Sequence, residues 1–100
     1  MSRALDPQKP PERELRRQIK DALQAKGFLV LYLEESKGYG RPGTPGLPDL
    51  VAIRKGEYVW IEVKSLTGQL QAAQADLHRL MRAAGANVIV ARSTDDVRDL

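Results

Sequence analysis

The chain has no cysteine, one histidine, one tryptophan and one phenylalanine in 100 residues. Without cysteine it has no disulfide framework and no thiolate chemistry, and a reducing compartment suits it. Long apolar runs are missing as well. None approaches the roughly 20 residues that span a bilayer, and the opening stretch MSRALDPQKPPERE has no signal-peptide core. The expectation is a soluble, cytoplasmic protein with no membrane partner and no targeting signal. A large excess of one charge is also lacking, since the net charge is only +3. Its distribution is uneven: residues 1–41 carry nine Lys/Arg against six Asp/Glu, and residues 42–100 carry seven of each. That leans weakly towards a polyanion such as nucleic acid, and a solvated basic helix face explains it equally well.

What is present is enough for one domain. A hydrophobic fraction of 42% can build a single modest core. Residues 1–11, with Pro7, Pro10 and Pro11, read as a flexible arm, and residues 12–100 as the domain. A helix is expected from Glu12 to Lys26, with Leu15, Ile19, Ala22 and Leu23 as its apolar stripe and Gly27 as its stop. Phe28 to Leu33 is β-prone. Residues 38–48 hold four Gly and three Pro and form a loop. Strands follow at Leu50–Arg54 and Glu57–Lys64, then a helix over Gln69–Ala84 with Leu70, Ala73, Leu77, Leu80 and Met81 on its stripe. Asn87–Ala91 is a fourth strand, and Ser93 caps a last short helix. The order α-β-β-β-α-β-α predicts an α/β fold, with a small mixed sheet flanked by helices. A helical crossover joins strands three and four, which are expected to be parallel neighbours.

The loop ends on Pro48-Asp49, so that an acid opens an apolar strand. Lys55-Gly56 reads as a two-residue hairpin turn that sets Arg54 opposite Glu57. That register carries Asp49 opposite Glu62, with Lys64 two residues further on the same face. Leu50, Ala52, Val59, Ile61 and Val63 take the opposite face and suit a core. Two carboxylates held that close repel unless a cation lies between them. A hard divalent ion such as Mg²⁺ or Mn²⁺ fits oxygen ligands, and an adjacent ammonium can polarise water or neutralise a developing phosphorane. The combination suits metal-assisted phosphodiester hydrolysis. Either feature alone would read as ordinary strand residues and a loop cap.

Pro48-Asp49 followed by Glu62-Val63-Lys64 resembles the PD-(D/E)xK nuclease superfamily. The likeness extends to its virus-type replication-repair nuclease (VRR-NUC) domains, in Glu12, the loop GRPGTPGLPDL (40–50), Gln74, and Val90-Ala91-Arg92-Ser93 before Asp95-Asp96-Val97. Archaeal Holliday junction resolvases share the core and are more distant. The resemblance implies a restriction-endonuclease-like core with Asp49, Glu62 and the Val63 main-chain carbonyl as metal ligands. It also implies that Lys64 assists the water, that Glu12 is an additional acid and possible ligand, and that Gln74 bonds near the reactive phosphate. The helical stripe favours Glu12 over Glu14, which points about 200° away. Arg16 stands where relatives often carry Gln.

Arg13, Arg16, Arg17, Lys20, Lys37 and Arg41 are candidate phosphate contacts. His78 lies off the expected stripe, without a partner at ligand spacing, and reads as a surface residue. Tyr58 and Trp60 share the site face, where packing under the first helix is the commoner fate. The expected activity is that of a metal-dependent, structure-selective DNA endonuclease acting as a homodimer, and the resemblance implies branched DNA such as four-way junctions as its substrate, in replication or repair. A flap or nicking nuclease and a nuclease-fold DNA-binding module without turnover stay open. A restriction-type enzyme is disfavoured because 100 residues leave little room for a base-reading element.

Overall fold

The computed structural model describes residues 10–33 and 43–100. Helix α1 (Glu12–Ala25) leads into β1 (Leu29–Tyr32). The hairpin β2 (Leu50–Arg54) and β3 (Glu57–Val63) follows, then α2 (Ala72–Ala83), β4 (Asn87–Ala91) and a 3₁₀ turn at Thr94–Val97. The four strands lie in the order β1-β2-β3-β4, antiparallel for the first two pairs and parallel for β3 with β4. The α/β class, the element order and the parallel pair are as expected.

Local chemistry explains these boundaries. Both helices end in the same way. Gly27 (φ 90°) and Gly85 (φ 96°) take the left-handed position, and the residue after each returns an N–H to the helix, Phe28 to Leu23 O and Ala86 to Met81 O. This closes free carbonyls and stops each helix within two residues. In the hairpin, Lys55 (φ 52°) and Gly56 (φ 80°) both have positive φ, as a type I′ turn requires. The turn sets Arg54 opposite Glu57, and the ladder runs from there to Leu50 opposite Ile61.

The core lies between α1 and one face of the sheet. Leu15, Ile19 and Leu23 pack on Phe28, Val30, Leu50, Ala52, Val59, Ile61, Val63, Ala91 and Val97, all buried. The other face is only partly covered. Its pairing puts Leu31, Val51, Trp60 and Val88 in one row and Leu29, Ile53 and Tyr58 in the next. Leu29, Leu31 and Tyr58 are exposed there.

Three expectations need correction here. First, α2 begins at Ala72 rather than Gln69, and it is rotated from the expected stripe. Its inward positions are Gln74, Leu77, His78 and Met81, while Leu80 and Ala73 are exposed. The helix is rich in alanine, so its apolar pattern directs its rotation only weakly, and tertiary contacts decide it. Second, Tyr58 and Trp60 do not pack under α1, because the hairpin register assigns them to the face turned away from the α1 core. They line an open groove of about 660 Å³ with Ala84, Gly85, Ala86 and Asn87. Third, the final helix is a single 3₁₀ turn, and Ser93 sits at its N-cap without a side-chain bond. Asp96 supplies one instead, its Oδ2 accepting the Arg92 N–H at 2.7 Å.

Candidate active site

Asp49 sits one residue before β2, where the loop delivers it to the end of the sheet. Its main-chain carbonyl accepts the Leu33 N–H at 2.8 Å, and its side-chain Oδ2 accepts the Val63 N–H at 2.9 Å. One residue thereby ties the end of β1 to the end of β3. Pro48 before it is buried, and Gly46 (φ 84°) lets the loop pass close to α2. A Cβ on Gly46 would lie 2.2 Å from the Ala73 carbonyl oxygen, so only glycine fits there.

Glu62 lies on the β3 face shared with Trp60 and is 1% exposed. Glu12, half-buried, arrives from the first turn of α1. Carboxylate oxygens of Glu12, Asp49 and Glu62 lie within 4.8 Å of one another. Glu14 takes no part, because its carboxylate pairs with Arg17 on the outer side of α1. Lys64, half-buried, follows at the end of β3, and its main-chain N–H bonds Ala91 O at 3.1 Å.

The electrostatics are strained in a way that a cation would relieve. Burial pushes the Glu62 carboxyl up to about 8, the hydrogen bond and charge of Asp49 push the same way, and Lys64 opposes them. Glu62 Oε1 is buried without a hydrogen-bond partner among the described residues. Three carboxylates this close, one of them almost fully buried, are the donor set that a hard divalent ion takes. Glu12, Asp49 and Glu62 therefore fit the ion expected from the sequence.

His78 corrects the expectation of a surface residue. It is completely buried, with Nε2 at 3.5 Å from Glu62 Oε1. Burial holds the imidazole pKa below its usual value, with Arg82 and Lys64 adding to the effect and Asp49 opposing it. The missed signal is its spacing. His78 lies four residues after Gln74, one turn along the same face. Gln74 itself is half-buried, but its Oε1 accepts the Gln71 N–H at 2.9 Å in a capping box. That oxygen serves the start of α2. Arg92 is a second organiser that sequence spacing does not reveal. Its guanidinium donates to the carbonyls of Ser65 and Gly68, clasping the loop that follows Lys64.

Of the candidate phosphate contacts, Arg13 is exposed on α1. Arg17 is held by Glu14 and Asp21, and Lys20 lies 3.4 Å from Asp21. Arg16 is half-buried on the same helix. Lys37 and Arg41 fall outside the described residues.

The family description "Archaeal holliday junction resolvase (hjc)" matches residues 9–97. The chain belongs to this resolvase family. Comparison with curated proteins finds no match. Among solved structures, a "VRR_NUC domain" is similar at 31% identity and a TM-score of 0.69, over 89% of this chain and 91% of the other. A second, "VRR_NUC domain protein", has a TM-score of 0.68 at 19% identity, over 91% and 84% of the two chains, and shares the fold. The Holliday junction resolvase Hjc of Archaeoglobus fulgidus is similar at 26% identity and a TM-score of 0.57, over 81% of this chain and 67% of that one. The VRR-NUC and Hjc resemblance read from the motifs therefore holds along nearly the whole chain. Its resolvase-type core is the restriction-endonuclease-like fold expected, and the described residues contain no helix long and apolar enough to cross a membrane.

Proposed function

We propose that this resolvase-family chain is a divalent-metal-dependent endodeoxyribonuclease that hydrolyses phosphodiester bonds in branched DNA, with four-way junctions as the preferred substrate. The observation that carries the proposal is the buried cluster of Glu12, Asp49 and Glu62 beside Lys64. Asp49 also accepts the Val63 N–H, but burying Glu62 against it with Glu12 alongside is costly unless a cation offsets the like charges.

In this reading Asp49 and Glu62 hold Mg²⁺ or Mn²⁺, with the Val63 carbonyl and Glu12 completing the protein ligands. When bound, the ion supplies positive charge for a non-bridging phosphate oxygen and lowers the pKa of water at the site. The Lys64 ammonium would donate an N–H hydrogen bond to the attacking water's oxygen, orienting it in line, and its charge would offset that developing on the phosphorane. Asp49 cannot swing away during turnover, because its second function is the bond to Val63 N–H. Arg13, Arg16, Arg17 and Lys20 on α1 contact phosphates along the DNA path. Gln74 donates its amide N–H to the phosphate.

Resolving a four-way junction requires two nicks related by a two-fold axis, and a closed homodimer provides them. Exposed Leu29, Leu31 and Tyr58 on one face of the sheet support this assembly, because apolar side chains left open on a small domain gain from a partner.

The test is a panel of labelled four-way junctions, flaps and duplexes incubated with Mg²⁺, Mn²⁺ or EDTA. Metal-dependent cleavage of junctions over duplex is the expected result, with Lys64→Ala inactive but still binding Mn²⁺. Binding to all substrates without cleavage in any metal would instead indicate a DNA-binding module.

A further inference from the structure

We propose that His78 is a positioning residue for Glu62, its Nε2–H donating to Glu62 Oε1 so that the other carboxylate oxygen is aimed at the cation. The proposal rests on the reading of Glu62 as a metal ligand, and it adds a residue outside the ligand set. Three observations carry it.

First, both groups are almost fully buried, His78 at 0% and Glu62 at 1% exposure. Second, each is short of partners. Glu62 Oε1 and both ring nitrogens of His78 lack a hydrogen bond among the described residues. Buried polar atoms are nearly always paired, and two of these unpaired atoms, His78 Nε2 and Glu62 Oε1, lie against each other. Third, Nε2 and Oε1 already face each other at 3.5 Å, a contact that is long for a hydrogen bond. Catalytic contacts of this kind commonly tighten when ligand binds.

The fold is arranged to make this contact. His78 is the only fully buried residue of α2, and the rotation of that helix brings it against Glu62. The guanidinium of Arg82, one turn further, fixes this rotation. Its Nε and Nη2 donate to Val88 O at 3.1 and 2.9 Å, docking the end of α2 on β4. Gly46, packed against Ala73 and Gln74, fixes the other end. A helix that clamped merely to cover apolar surface would turn Leu80 inward, yet Leu80 is 57% exposed. A free carboxylate rotates about its last torsion, and a single buried donor on one oxygen removes that freedom.

The experiment compares His78→Met with His78→Gln, side chains of similar length of which only glutamine keeps a donor near the Nε2 position. Mn²⁺ affinity is measured by calorimetry on the full chain without DNA, beside thermal melts and beside Glu62→Gln. Loss of an orienting partner to a metal ligand costs about 10–100-fold in metal affinity. His78→Met is expected to show such a loss while still folded, and His78→Gln to recover most of it. Equal Mn²⁺ affinity for wild type and a folded His78→Met would overturn the proposal. If wild type binds no Mn²⁺, or Glu62→Gln binds it unchanged, the reading of Glu62 as a ligand fails instead, and this proposal with it.

Should His78→Met not fold, long-range ¹H–¹⁵N spectra of the wild-type imidazole at neutral pH decide. A proton on Nε2 with Nδ1 bare is expected, and a proton on Nδ1 alone would overturn the assignment.

Discussion

Asp49 and Val63 are joined by one buried hydrogen bond, from the Val63 N–H to Asp49 Oδ2 at 2.9 Å. The same carboxylate is thus both a proposed metal ligand and a backbone partner, and two substitutions separate these roles. Asp49→Asn keeps an acceptor for Val63 and is expected to melt near wild type. Asp49→Ala leaves a buried N–H unpaired and is expected to lose about 1–3 kcal/mol. Both should abolish cleavage while junction affinity stays largely intact, as measured by gel shift. Wild-type cleavage by Asp49→Ala would remove it from the site.

Glu62 predicts an unusual pH dependence. Its carboxyl is raised to about 8 in the folded chain, mainly by burial and then by Asp49. The folded state therefore holds a proton that the unfolded chain releases near the normal carboxylate range. The associated stability is fully present below that range and is lost as pH rises through about 8. Thermal melts of the metal-free protein should fall between pH 5 and pH 8, and Glu62→Gln should flatten the curve. Mn²⁺ should raise the melting temperature most at the alkaline end. A metal-free melting temperature that climbs over this interval would contradict the assigned burial.

Gly46→Ala tests the approach of the loop to α2. The added methyl would meet the Ala73 carbonyl at 2.2 Å from a backbone with φ 84°. The left-handed conformation alone costs about 1–2 kcal/mol for an L-residue, and the collision adds to it. For a domain of this size each kcal/mol corresponds to a fall of about 4–8 °C in melting temperature. A melting temperature within a degree of wild type would mean the loop is placed differently.

The assembly is tested by Leu29→Glu combined with Leu31→Glu on the uncovered face of β1, positions 59% and 44% exposed. Neither side chain belongs to the α1 core, so the chain should fold. Sedimentation equilibrium at micromolar concentration should give a dimer for wild type and a monomer for the variant. On a supercoiled cruciform plasmid, wild type should linearise and the variant should leave singly nicked circles. Monomeric wild type giving nicked circles would leave a flap or nicking nuclease.

The sequence by itself determined the features that rest on short-range rules. Gly27 and Gly85 end helices because only glycine readily takes the left-handed position. Lys55-Gly56 makes a type I′ turn, and turn type determines register, so the partners of β2 and β3 follow from the turn residues alone. That register brought Asp49 and Glu62 to one end of the hairpin. The strong stripe of Leu15, Ile19 and Leu23 likewise turned Glu12 inward and Glu14 out. What only the tertiary structure decided lies on α2. Its alanine-rich sequence has too little apolar contrast to choose a rotation, and the inward side here is partly polar because it meets Glu62. Periodicity reports burial only where burial is apolar. A histidine buried against a carboxylate therefore carries no periodic signature, and its role emerged only when β3 and α2 were brought together in space.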